Sequence, residues 1–167
     1  PVDFDELLEI IRKEPFDFEP GSRFTYSNSG YLLLGEIVAK VSGKPFAEFL
    51  KAEFFEPLGM KDTSVPVPII APHQTRAFPI LAHEATGYGF RDESSRKITK
   101  WDTASVGGAG SLISTVRDLA RWNQALLDGK VLKQDSLKAA WTPVNVAAPK
   151  GTPPDSPINQ RGYGYGW

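Results

Sequence analysis

At 167 residues the chain has the length of one domain or part of one, and 41% hydrophobic with 23% charged residues is a globular composition that excludes wholesale disorder. The 19 basic side chains nearly balance the 20 acidic ones without forming a basic block, which argues against a nucleic-acid partner. No apolar run approaches the roughly 18 residues of a membrane span, and with no cysteine there is no disulfide, thiolate or Cys-type zinc chemistry.

In chain order, Phe4, Leu7, Leu8 and Ile11 recur at helical spacing and predict a helix over residues 3–12, with Asp3 as cap and Glu6 completing a capping box. Pro15, Pro20 and Gly21 punctuate a loop over 16–23. The clearest helix is 30–41, where Tyr31, Leu33, Leu34, Ile37, Val38 and Val41 crowd one side. Asn28 or Ser29 stands where a cap belongs, and Gly43 closes it. Pro45 opens a further helix, whose Phe46, Phe49, Leu50 and Phe54 repeat the spacing until Pro57 and Gly59. Each buried Leu or Phe contributes roughly 1.5–3 kcal/mol. Phe54, Phe55, Leu58 and Met60 are accordingly assigned to a core rather than a ligand pocket.

Residues 61–85 are Pro-rich and irregular, while 86–90 and 97–101 flank the polar stretch 92–96 as a β-hairpin. A glycine-dense turn at 107–110 precedes a helix opened by Thr115 with Asp118, carrying Val116, Leu119, Ala120, Leu126 and Leu127 and ending at Gly129. A short helix over 135–141 follows. The prolines of 144–162 forbid a helix and predict an extended surface loop. Residues 163–167, Tyr-Gly-Tyr-Gly-Trp, look like the start of a strand.

Several motifs fail on inspection. His83-Glu84 begins an H-E-x-x-H pattern, but Gly87 stands where the second imidazole belongs; with His73 the only other histidine, both are assigned to loops and no metal is expected. No G-x-S-x-G nucleophile elbow occurs, and residues 107–110 fit neither a dinucleotide fingerprint nor a P-loop. The informative motif is Tyr26-Ser27-Asn28, immediately before the 30–41 helix, near the positive end of its dipole and its unpaired N–H groups. A free phenol titrates near pH ~10, so a tyrosine base needs further help such as a lysine ammonium beside it. Taken alone, Tyr26 would be a packing residue and Asn28 a helix cap.

The run from Phe18 through Tyr26-Ser27-Asn28 to Gly35 resembles the second active-site block of the penicillin-recognising serine hydrolases, in their class C β-lactamase, DD-peptidase and esterase branch. The resemblance continues through Glu56-Pro57-Leu58-Gly59-Met60-Lys61-Asp62-Thr63. It returns at Gly107-Gly108-Ala109-Gly110-Ser111-Leu112-Ile113-Ser114-Thr115-Val116-Arg117-Asp118-Leu119-Ala120, in the same order. The ending at 163–167 looks like the strand that precedes the family's third block. The resemblance implies an α+β, helix-rich fold, part of the β-lactamase/transpeptidase-like architecture: a helical subdomain with a few antiparallel strands. It covers 1–167 as one partial domain, with no second domain.

In that family a serine of an S-x-x-K block attacks a carbonyl while backbone N–H groups hold the oxyanion. The tyrosine of the Y-x-N block shuttles the proton with help from the lysine, and the asparagine bonds the substrate amide or the lysine. The resemblance thus implies catalytic roles for Tyr26 and Asn28, no cofactor, and a small-molecule substrate: a β-lactam, a D-amino-acid peptide or a small ester. The family is often periplasmic or secreted, which is the sole pointer to localisation. Two blocks depart from the pattern. The sole S-x-x-K, Ser94-Ser95-Arg96-Lys97, follows the tyrosine and falls in the predicted hairpin turn; Lys150-Gly151-Thr152 has the third block's residues in the wrong order. The expectation is therefore the middle of a longer serine hydrolase, inactive by itself, whose partner is the remainder of its own chain. The alternative is a non-catalytic binding or assembly domain on the same scaffold.

Overall fold

The computed structural model describes residues 4–66, 85–91, 94–97, 107–144 and 164–166. Helix α1 (Phe4–Lys13) has acidic side chains in its first turn and basic ones in its last, complementing the helix dipole. Helix α2 (Asn28–Ser42) ends at Gly43, which takes the left-handed conformation (φ 68°) and donates its N–H to the Ala39 carbonyl. Helix α3 (Phe46–Leu50) packs on α2 and runs without a break into a π-helical turn, Lys51–Phe55. That turn carries the widened i→i+5 bond from Glu56 N–H to the Lys51 carbonyl, 3.0 Å. The widening brings Phe49 and Phe54, five apart, edge to face at 6.0 Å, and Phe54 meets Trp122 in the same way at 5.7 Å.

Trp122 lies on α4 (Val116–Leu127), and α5 (Gln134–Trp141) follows it. Of the four residues assigned to the core, Phe55 and Met60 are buried, though both also line a cavity, and Phe54 and Leu58 are half-buried; Ala125 and Leu126 of α4 and Leu137 and Ala140 of α5 are buried as well. Strands β1 (Tyr88–Arg91) and β2 (Ser94–Lys97) form an antiparallel pair with Tyr88 opposite Lys97. An isolated antiparallel bridge between Ser64 and Ile113 ties the segment after the π turn to the approach to α4.

Three expectations are corrected. The cap of α2 is Ser27, whose hydroxyl accepts the Gly30 N–H at 3.1 Å; Asn28 is already helical. On α2 itself Leu34, Ile37 and Val41 of the apolar stripe are exposed and Leu32 and Gly35 buried, and the helix meets its neighbour through backbone at a glycine. Residues 94–97 belong to the second strand rather than to the hairpin turn, so the S-x-x-K lies on extended backbone, not on a helix. Residues 164–166 form no strand. Tyr165 N–H donates to the Ala140 carbonyl at 2.9 Å, and a Cβ on Gly164 would overlap that same oxygen, so the segment is laid against the end of α5. Both histidines, residues 98–101 and the loop from 145 to 162 lie outside the described residues.

Candidate active site

The N-terminus of α2 carries the two residues singled out by sequence. Because Ser27 supplies the cap, the Asn28 carboxamide is not consumed in closing the helix. Asn28 is exposed, and Tyr26 is 71% exposed. Neither side chain has a hydrogen-bond partner among the described residues. Among the described residues, therefore, Tyr26 is not packed and Asn28 does not cap the helix. The first turn of α2 carries no acidic side chain, so nothing on the helix itself neutralises the positive end of its dipole. Tyr26 helps line a concavity of about 200 Å³, with Phe24, Thr25, Gly30, Tyr31 and Leu34 also in its wall. A phenol there can exchange a proton with a hydroxyl brought within about 2.6–3.2 Å, and a carboxamide can both donate and accept beside it.

Backbone contacts set the position of this helix end. Gly35 lies against Gly108 so closely that a Cβ on Gly35 would stand 2.9 Å from the Gly108 nitrogen. A Cβ on Gly108 would stand 2.5 Å from the Tyr31 carbonyl oxygen. The turn holding Gly108 is fixed internally by Ser111, which is 2% exposed and donates its hydroxyl to the Gly107 carbonyl at 2.7 Å. These contacts escaped the sequence reading; a glycine inside an otherwise apolar helix was the available signal.

Asp118 was also missed as a structural centre. Thr115 and Asp118 open α4 as their spacing predicts, the Asp118 N–H bonding the Thr115 hydroxyl, while the fully buried Asp118 carboxylate reaches away from the helix. Oδ2 accepts from Asp62 N–H at 2.8 Å and from Thr63 Oγ1 at 2.9 Å, while Arg121 pairs with Oδ1. A hydroxyl has one proton, so Thr63, donating to Asp118, accepts from Ser114 at 2.8 Å. Burial alone would raise the carboxyl's pKa, but the bonds from Thr63, Asp62 N–H and Arg121 outweigh it and hold it below its ordinary value.

A second cavity, of about 590 Å³, lies between the α3–π segment and Thr63–Ser64–Val65, and neither Tyr26 nor Asn28 lines it. Among the described residues no group of three His, Asp or Glu is placed to hold a metal, and no helix is long and apolar enough to cross a membrane.

The family model described as Beta-lactamase matches residues 1–167. Penicillin-binding protein 4* of Bacillus subtilis (strain 168) is 32% identical over 168 residues, covering 97% of this chain and 35% of its own length. The crystal structure of D-amino acid amidase from Ochrobactrum anthropi SV3, complexed with D-phenylalanine, is similar at 34% identity and a TM-score of 0.65, covering 81% of this chain and 39% of that one. A D-stereospecific amidohydrolase from Streptomyces sp. is similar at 27% identity and a TM-score of 0.73, over 96% of this chain and 43% of its own. The chain spans about a third of the length of the curated relatives it matches.

Proposed function

The chain belongs to the Beta-lactamase family, and from that premise we propose that it is the central part of a serine hydrolase, supplying the Tyr-x-Asn block of the active site. Tyr26 takes the proton from a seryl hydroxyl carried outside this stretch and returns it to the leaving group. Asn28 positions the substrate or the lysine that accompanies the serine. The supporting observation is the presentation of both side chains on one open helix end, with Ser27 doing the capping. Ser94, the only serine in an S-x-x-K, is on extended backbone and is assigned no role.

The substrate class is a β-lactam, an acyl compound with a D-configured carbon beside its carbonyl, or a small ester, the first two as the names of the penicillin-binding and D-amino-acid-processing relatives suggest. The test is a panel of three probes, a chromogenic cephalosporin, D-phenylalanine amide and p-nitrophenyl acetate, given to the whole protein and to residues 1–167 alone. Turnover of at least one probe by the whole protein and of none by 1–167 is the expected result. Inertness of the whole protein to all three would leave the binding-domain alternative, and turnover by 1–167 alone would place the nucleophile inside this stretch.

A further inference from the structure

Resting on Tyr26 as the base proposed above, we infer that Gly108 is a positioning residue for it: the turn at 107–111 sets where the N-terminus of α2, and with it the Tyr26 hydroxyl, stands. No side chain separates the turn from the helix. Gly108 sits on the Tyr31 carbonyl and on the backbone of Gly35, with room for a hydrogen and nothing larger. Ordinary contact between a Cβ and a carbonyl oxygen begins at about 3.4 Å, against the 2.5 Å available at Gly108, so a methyl there drives helix and turn apart by about 1 Å. The neighbouring atoms are all backbone, so no side-chain rotation relieves the overlap.

Tyr31 is in the first turns of α2, five residues from Tyr26, and its side chain borders the same concavity. The displacement is therefore delivered at the reacting end of the helix. The turn is stiff enough to transmit it, because the buried Ser111 hydroxyl clamps the Gly107 carbonyl from within. A misplacement of about 1 Å in a reacting group costs up to about 10²-fold in rate.

The experiment measures kcat per titrated active site and KM for p-nitrophenyl acetate in the whole protein. Gly108→Ala is expected to lower kcat by about 10–10²-fold with KM changed less than about twofold. Ser111→Ala, a milder loosening of the same turn, is expected to lower kcat about threefold. Gly43→Ala is the control for stability alone: Gly43 is left-handed with nothing within 4 Å, at the far end of α2. It is expected to lower Tm and leave kcat unchanged. In a Tyr26→Phe background, Gly108→Ala should add less than about twofold, since the group it misplaces is already gone.

Wild-type kcat in Gly108→Ala, or a full additive loss on top of Tyr26→Phe, overturns the positioning role while leaving the assignment of Tyr26 intact. If Gly108→Ala does not fold, an unchanged kcat in Ser111→Ala overturns it instead. Unchanged acylation in Tyr26→Phe alone removes the base itself, and the positioning role falls with it.

Discussion

Replacing Tyr26 with phenylalanine in the whole protein is expected to slow acylation by about 10²–10⁴-fold, the range that a positioned acid–base group contributes. The substitution removes one oxygen and keeps the ring. Because that ring is 71% exposed and its hydroxyl bonds nothing among the described residues, folding loses little, and Tm should move by no more than about 1 °C. Affinity should also change little, because the proton is transferred in the transition state and not in the bound ground state. Stopped-flow measurement of the burst with p-nitrophenyl acetate separates the acylation rate from binding. A variant that acylates at the wild-type rate would show that the proton leaves the serine by another route.

The largest effect on stability is expected at Asp118. Asp118→Ala leaves the Asp62 N–H and the buried Thr63 hydroxyl without their acceptor, and an unsatisfied buried donor costs about 1–3 kcal/mol. Arg121 is 44% exposed and turns to water, so its share is small. A total of about 3 kcal/mol corresponds to a Tm about 6–12 °C lower for a domain of this size. The acid dependence carries its own signature. The folded carboxyl titrates below the ordinary aspartate value, so its contribution is complete above about pH 3.9 and is lost as pH falls through the folded pKa. The Tm gap between wild type and Asp118→Asn should therefore be wide at pH 7 and narrow towards pH 3. An equal gap at both would mean that the charge is not what the site stabilises.

The helices were legible because their signals are local. Apolar spacing placed α1, α2, α4 and α5 within about two residues, and Gly43 and Gly129 stand just past the ends of α2 and α4 in the left-handed conformation that favours glycine. The π turn at Lys51–Phe55 was not legible, since nothing in the phenylalanine spacing distinguishes an i→i+5 bond from an i→i+4 bond. The long-range role of the Asp118 carboxylate was hidden for a related reason. Its spacing from Thr115 fits a capping box, and only the approach of Asp62 and Thr63, more than 50 residues away in sequence, diverts the carboxylate.

At the candidate site, local reasoning and family resemblance diverged. A tyrosine before a helix reads as packing and an asparagine at its start as a cap; family resemblance alone implied chemistry for the pair. Among the described residues Tyr26 is exposed and the capping hydroxyl is that of Ser27. The glycine contact between Gly35 and Gly108 joins residues 73 apart through backbone alone, a pairing that no periodicity encodes.

A crystal structure of the whole protein trapped as its acyl-enzyme bears most directly on Tyr26. The expected structure has the Tyr26 hydroxyl within about 2.6–3.2 Å of the acylated serine's Oγ, with Asn28 beside the bound group. A phenol covered by hydrocarbon from the rest of the protein, or turned away from that serine, would contradict the assignment and leave α2 as scaffold only.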